Sequence, residues 1–474
     1  MIHGGTNRRR TCIDILDDDS LLYVFYHCRP PILSKEGISP RTGECESETW
    51  WCQLAWVCRR WRRLILASPS YLGISLVCRP GTPVADMLAH LPPLPLIIDY
   101  FQSGGFAAGE EEGILLALEH HDRVRRISLE VEVPVSSLER VIAAIDKEFP
   151  MLEYLSIFPL FMSYSNWSIP STFCAPQLRR LELIEFAFPI GCPLPAGLVT
   201  LSLEWIHPSA DFGPNELLQQ LSLLPQLETL SITFDPPHSD QDVEGQLLQT
   251  PLSTHAILPS LRSFMFKGPL SYIKSVLPRI TMPLLKVAEI MPPTSHNLAF
   301  SFPLVLQFVY KTENPRFRDV RVTFDVSFVV VTMYPHEGTG MPAIRMRNVG
   351  RVIRMGLGST VKRFREMGPV FSEVELLTLE DKTPSGLHKH DSIRTDWHKL
   401  LGFFNKVRTL HVAGGDLIEQ LSHVLQPHDG ESAIELLPTL SVFSCPKDSH
   451  IGESSRSFLA ARRDAGFHVT ISHH

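Results

Sequence analysis

At 474 residues, with 44% hydrophobic and 20% charged side chains, the chain has the composition of a folded protein and the length to bury a large core. Its 44 lysines and arginines against 51 acids give a net charge of -7, which argues against nucleic acid as the main partner, because phosphate neutralisation calls for a basic surface. The 9 cysteines are scattered, odd in number and never spaced as CxxC, which suits free thiols in the cytoplasm or nucleus better than a disulfide framework. In chain order, the first residues are basic but run into acids with no apolar stretch behind them. No secretory signal is therefore read, and residues 1–13 are expected to be disordered. The longest greasy run, Val326 to Tyr334, falls far short of the ~20 residues a membrane helix needs, so no membrane partner is expected.

The first predicted element lies in "ILDDDSLLYVFYHC". Leu21 and Leu22, with Phe25 three to four residues on, give helical spacing, Val24 thickens that face, and Asp17, Asp18 and Asp19 sit where negative charge favours a helix N-terminus. A loop over 29–49, rich in Pro, Gly, Ser and Glu, leads to "WCQLAWVCRRWRRLI". Trp51, Leu54, Cys58, Trp61 and Ile65 are spaced three, four, three and four apart, which predicts one amphipathic helix. Val57 and Leu64 widen its stripe, and Arg59, Arg60, Arg62 and Arg63 fall in the hydrated gaps. So wide a stripe must be covered, since each large side chain removed from water is worth about 1.5–3 kcal/mol. Two helices this short bury too little to stand alone, and must lean on the rest of the chain, on a partner, or on both.

These two segments, with "SPSYLGISL" after them, resemble an F-box, in particular the F-box-like N-terminal segment of large families of fungal proteins. Leu16, Leu21, Leu22, Val24, Phe25, Val57, Cys58, Trp61 and Leu64 match that pattern, while Asp17 stands where the family usually has Pro and the loop between the halves is longer. The resemblance spans 14–78, about a seventh of the chain. What it implies is a partner, the Skp-type adaptor of a cullin-RING ubiquitin ligase, held by Leu16, Leu21, Leu22, Phe25, Leu54, Val57, Trp61 and Leu64. The plainer reading is a helical cap closing the core of the domain that follows. A DNA-reading helix-turn-helix fits less well, with Cys58 and Trp61 on the stripe and an acidic chain.

The remaining residues, 79–474, repeat an apolar-x-x-apolar-x-apolar phrase starting at Val124, Leu152, Leu178, Leu198, Leu227, Leu261, Val374 and Val407, with weaker copies at Leu285 and Leu440. The spacings fall in or near the range of leucine-rich repeats, one short strand and one returning segment each. Pro150, Pro176, Pro225, Pro259, Pro283 and Pro438 stand two positions before an anchor, where a proline would stop the returning helix and set up an extended strand. "SSLERVIAAIDKEFP" reads as such a helix, with Ser136 and Glu139 as a capping box and Leu138, Val141, Ile142, Ile145 and Phe149 as its buried stripe. "NELLQQLSLLP" and "DLIEQLSHVLQP" follow the same plan. The Asn that leucine-rich repeats carry after the strand is missing in nearly every copy, so the backbone groups it would satisfy need other partners. Residues 292–370 lack good copies, and "FRDVRVTFDVSFVVVTMY" reads as one or two longer strands. "SFLAARRDAGFHVTI" reads as a closing helix and strand.

The expected fold is α/β: a short all-helical F-box-like module, then an irregular leucine-rich-repeat-like solenoid with a curved parallel sheet and outer helices. Within each phrase the intervening side chains face away from the core. Tyr154, Ser156, Arg180, Glu182, Thr200, Ser202, Thr229, Ser231, Ser263, Thr378, Thr409 and His411 are therefore the candidates for binding a target protein, against the plainer reading of a solvated face. Chemistry of its own is not evident. Cys45, Cys52 and Cys58 with His27 or Cys28 fit no zinc template, and "HKHD" from His388 reads as loop. "GLGST" from Gly356 lacks the lysine of a phosphate loop, and neither HExxH nor a recognisable Ser-His-Asp set is present. The resemblance thus implies a non-catalytic substrate receptor of an SCF-type ligase with no cofactor and no metal. The alternative is a repeat scaffold that recruits no ligase.

Overall fold

The computed structural model describes residues 15–30, 49–102, 109–131, 135–159, 167–187, 194–206, 213–234, 254–291, 316–325, 328–335, 343–349, 361, 364–365, 368–382, 393–427, 432, 434–447 and 453–473. The expectations for 1–13, for most of the 29–49 loop, for Cys45, for "GLGST" and for "HKHD" lie outside these residues. The chain is mixed α/β with a large, mostly parallel sheet content, and it divides into two compact units, 1–200 and 201–474.

The first unit opens with helices Asp18–His27, Trp50–Ala55, Arg59–Ala67 and Pro69–Leu72. Strands β1 (Leu76–Cys78), β2 (Leu96–Gln102), β3 (Val124–Val131) and β4 (Tyr154–Pro159) follow, with helices Val84–His90, Glu110–Glu119 and Val135–Ala144 between them. Two-residue β5 (Trp167–Ser168), then β6 (Arg180–Ile184) and two-residue β7 (Phe186–Ala187), complete it. β1, β2, β3, β4 and β6 pair in that order, all parallel, and β5 pairs with β7. Because successive strand side chains alternate in direction, Leu155 and Ile157 on β4 and Leu181 and Leu183 on β6 are buried while the residues between them stay half-exposed. The helices bury their stripes too, with Ile114, Ala117 and Leu118 on one and Leu138, Val141, Ile142 and, just past its end, Ile145 on the next.

The second unit begins within β8 (Thr200–Ile206) and continues through β9 (Thr229–Phe234), β10 (Ala256–Ile257), β11 (Ser263–Lys267), β12 (Ile280–Thr281) and β13 (Val287–Met291). Then come β14 (Phe317–Phe324), β15 (Phe328–Pro335), β16 (Ala343–Val349), β17 (Leu376–Asp381), β18 (Thr409–Ala413), β19 (Val442–Cys445) and β20 (Thr470–His473). The main sheet order is β9-β11-β13-β16-β15-β14-β17-β18-β19-β20. Only β15 is antiparallel to its neighbours among these strands. From β13 the chain goes to a position three strands along, then returns through β15 and β16. Such a return suits short connections, since antiparallel neighbours need only a tight loop whereas parallel ones need a crossover of a dozen or more residues. The longer strands expected around 317–334 are β14 and β15; β16 and the reversal carry no sequence signal of their own.

Each of the ten apolar phrases contains a strand, eight of them starting among the phrases from Val124 to Val407 and two at the weaker copies. The prolines do something other than stop helices. In Phe149-Pro150-Met151-Leu152 the anchor N–H donates to the carbonyl of the residue before the proline, and the same bond recurs at Ala175/Leu178, Leu224/Leu227, Leu258/Leu261, Met282/Leu285 and Leu437/Leu440, at 3.0–3.4 Å. Proline is thus the second residue of a four-residue turn, where its fixed φ is already correct and its missing N–H is not needed. Nor does the expected capping box form: the helix starts at Val135, so Ser136 is inside its first turn, and Ser137 Oγ donates to Glu111 Oε2 at 2.8 Å. Where leucine-rich repeats have Asn, two copies instead bury Phe186 and Ile206, each preceded by a left-handed residue, Glu185 (φ 62) and Trp205 (φ 58).

Candidate docking surfaces

The N-terminal helices are tied together by specific bonds. Asp17, standing where the F-box pattern has Pro, is the N-cap of helix Asp18–His27, its carboxylate accepting from Ser20 N at 2.7 Å. Those bonds to the backbone hold its carboxyl below the usual range. Arg60 bonds the same segment twice, to Asp18 Oδ1 at 2.7 Å and to the Leu16 carbonyl at 2.6 Å. Phe25 meets Trp61 edge to face at 4.8 Å between centroids, and Trp51 Nε1 donates to the Ser75 carbonyl at 3.3 Å.

The single Trp-rich helix expected over 51–65 is two helices. Helix Trp50–Ala55 ends at Trp56, and Cys58, in extended conformation, caps helix Arg59–Ala67, its Sγ accepting from Trp61 N at 3.5 Å. Cys58 is therefore exposed and not on a buried stripe. Arg60 and Arg62 are likewise not free in water: Arg62 Nε reaches back to the Ala55 carbonyl at 3.1 Å, bracing the break. The break turns Trp56 and Val57 outward, at 75% and 60% exposure.

Of the expected adaptor residues, Leu21, Phe25 and Leu64 are buried by the chain's own helices. They build the module and offer no surface, because side chains at i and i+4 on the inner face meet the neighbouring helices first. Leu22, Leu54 and Trp61 are half-buried, and Leu16 and Val57 are exposed. The sequence reading missed Trp56 and the exposed aromatics Tyr23, Tyr26 and Tyr71; Tyr26 and Tyr71 touch at 5.6 Å. A signal was there, since Tyr23 and Tyr26 sit at i and i+3 on the helix face opposite Leu21 and Phe25, where a solvated helix would carry polar residues.

On the open side of the first unit's sheet, Arg126, Tyr154 and Arg180 stand in register on β3, β4 and β6, with Ser128, Ser156 and Glu182 in the next row. Glu182 Oε2 accepts from the Tyr154 hydroxyl at 3.0 Å, and its Oε1 accepts from Arg180 Nε at 2.7 Å. The guanidinium carbons of Arg126 and Arg180 lie 4.7 and 5.4 Å from the centre of the Tyr154 ring. Burial, with the charge of Glu182 adding, pushes the Tyr154 phenol up to about 12, so it remains a donor at neutral pH. Arg126 and Ser128 belong to this face although the candidate set omitted them; they occupy the same phrase positions as Tyr154 and Ser156. Thr200 is half-buried.

In the second unit Thr229 pairs with Ser263, and Thr378 with His411, all half-buried, as are Ser202 and Thr409. Ser231 is a correction: it is buried, because β9 is covered on both faces over most of its length. The same side also holds pairs that were not foreseen, Thr323 Oγ1 to Glu380 Oε2 at 3.0 Å and Arg345 to Glu289 at 3.4 Å. Among the described residues no group of three or more His, Cys, Asp or Glu could hold a metal, and no helix is long and apolar enough to cross a membrane. Compared with models of known protein families and with curated proteins, the chain matches none.

Proposed function

We propose that this chain is a substrate receptor of an SCF-type cullin-RING ubiquitin ligase, acting in the cytoplasm or nucleus. Its N-terminal helices dock on a Skp-type adaptor, and leucine-rich-repeat-like strands present a target protein. The observation that carries this reading is the division of the helical module into a self-sufficient interior and an unpartnered apolar exterior. Phe25, Trp51 and Leu64 are covered, whereas Trp56, Val57, Tyr23, Val24, Tyr26 and Tyr71 face outward. A cap serving only its own domain has no use for exposed aromatics, while docking surfaces are enriched in them. No catalytic side chain is required, because a receptor contributes proximity and the chemistry belongs to its partners.

The test is binding of purified adaptor to the full chain, followed by titration calorimetry. Trp56→Ala should weaken binding by about tenfold or more, a loss of at least ~1.4 kcal/mol, with thermal stability within ~0.5 kcal/mol of wild type. Undiminished binding would remove Trp56 from the contact. Absence of binding by the wild type would leave a repeat scaffold that recruits no ligase.

A further inference from the structure

We infer that Arg59 and Arg63, beside Trp56, form the electrostatic half of the adaptor-docking surface and meet an acidic stretch on the adaptor. The inference rests on the reading of Trp56 as an adaptor contact. From Thr49 to Ala85 the chain carries five arginines and no acid, against a net charge of -7 for the whole. Four of the five lie in helix Arg59–Ala67, whose first turn holds no acid and whose last turn holds no base. That is the reverse of what the helix dipole favours, and Arg59 and Arg63, one turn apart, are a like-charge pair that weakens a helix further. The fold makes use of only two of the four. Arg60 is taken up by Asp18 and the Leu16 carbonyl, and Arg62 reaches the Ala55 carbonyl through Nε. Arg59 and Arg63 are exposed and make no ion pair or hydrogen bond among the described residues. Of the acids on the neighbouring helix, Asp17 caps its own N-terminus, Asp18 holds Arg60, and Asp19 makes no ion pair among the described residues. Trp61, Leu64 and Ile65 turn the other side of the helix toward the module's interior. Its outer side therefore presents two unbalanced guanidinium groups a few positions from a tryptophan that is 75% exposed. In docking surfaces such a tryptophan anchors, while arginines around it draw in carboxylates and bond them with charge assistance.

Association of the full chain with purified adaptor is followed by stopped flow at about 0.03 and about 0.3 M salt. The wild-type association rate should fall about tenfold over that range, whereas the double variant Arg59→Gln, Arg63→Gln should associate about fivefold more slowly at the lower salt and change only about twofold between the two. Trp56→Ala should dissociate faster and keep the wild-type salt dependence. The thermal midpoint of the double variant should equal or exceed that of the wild type, because a like-charge pair is removed. A lowered midpoint places the two arginines in the service of the fold and overturns the inference. Wild-type rates and salt dependence in the double variant, with Trp56→Ala still weakened, overturn the acidic contact and leave adaptor docking standing; no binding by the wild type overturns both. A double variant that binds adaptor as the wild type does, yet loses wild-type retention on phosphatidylserine vesicles, also overturns the inference and assigns the arginines to a lipid surface.

Discussion

Arg462 shows how little a residue type says about its place. An arginine near the end of helix Glu453–Asp464 would ordinarily be read as a solvated charge favouring the helix C-terminus. It is 1% exposed, forms no ion pair among the described residues, and donates through Nη1 and Nη2 to the carbonyls of Leu437 and Leu436, with its guanidinium 5.4 Å from the Phe458 ring. Leu437 is left-handed at φ 49, so the bond secures a turn that a leucine does not adopt readily. Burial draws the Arg462 guanidinium down to about 10. Arg462→Ala leaves both carbonyls without a donor and opens space beside Phe458; a loss of about 3 kcal/mol is expected in urea unfolding. A loss below about 1 kcal/mol would show that water replaces the side chain without penalty. At this scale the sequence identified the half-buried partners Tyr154, Arg180 and Glu182 by alternation, because period two survives any register. It could not separate Ser231 from Ser156, which occupy the same phrase position, since what covers a strand's second face is set by other segments.

Among the elements, helix Asp18–His27 was legible in the sequence because its start signal is local: an acid at the cap and acids in the first turn. The Trp-rich segment was not, because the periodicity of Trp51 to Ile65 continues unbroken through a change of helix. Two short helices whose inner residues fall in phase look like one long one. The break is decided by what the two ends pack against, Trp51 on the strand side at Ser75 and Trp61 on Phe25. The role of Asp17 can be checked directly. Asp17→Ala should speed amide exchange at Ser20 at neutral pH, because the carboxylate that accepts that N–H is removed. The wild type should come to behave like the variant as acid protonates the carboxylate: its folded-state pKa is lowered, so the contribution is present above the ordinary value of 3.8 and is lost as pH falls through the folded one. Equal exchange in the two proteins at neutral pH would remove Asp17 as a cap.

For the molecule as a whole, both units bury acidic groups that prefer their protons. Burial pushes Cys78 up to about 11 and, with help from Glu182, Tyr154 up to about 12, and it raises Tyr100 and Tyr272 further. A raised folded pKa means that stability is complete below the unfolded values of 9.0 and 10.0 and declines as pH climbs through the folded ones. Arg462, lowered from 12.5, works in the opposite sense but is one group against four. The urea midpoint should therefore fall steadily above pH 9.0, less steeply in Tyr154→Phe; a midpoint that holds or rises there would mean these groups titrate as if unfolded. By itself the sequence determined the alternation of strands with returning segments, the phrase that marks each of ten strands, and the turn prolines, though not their purpose, because these depend on contacts only a few residues apart along the chain. Only the tertiary structure decided the reversed strand β15, the split of the Trp-rich segment, the cover over Ser231 and Arg462, and the meeting of Arg126, Tyr154 and Arg180 in one row. Each of those depends on which distant segments become neighbours, and a side chain's own chemistry does not say what will stand beside it.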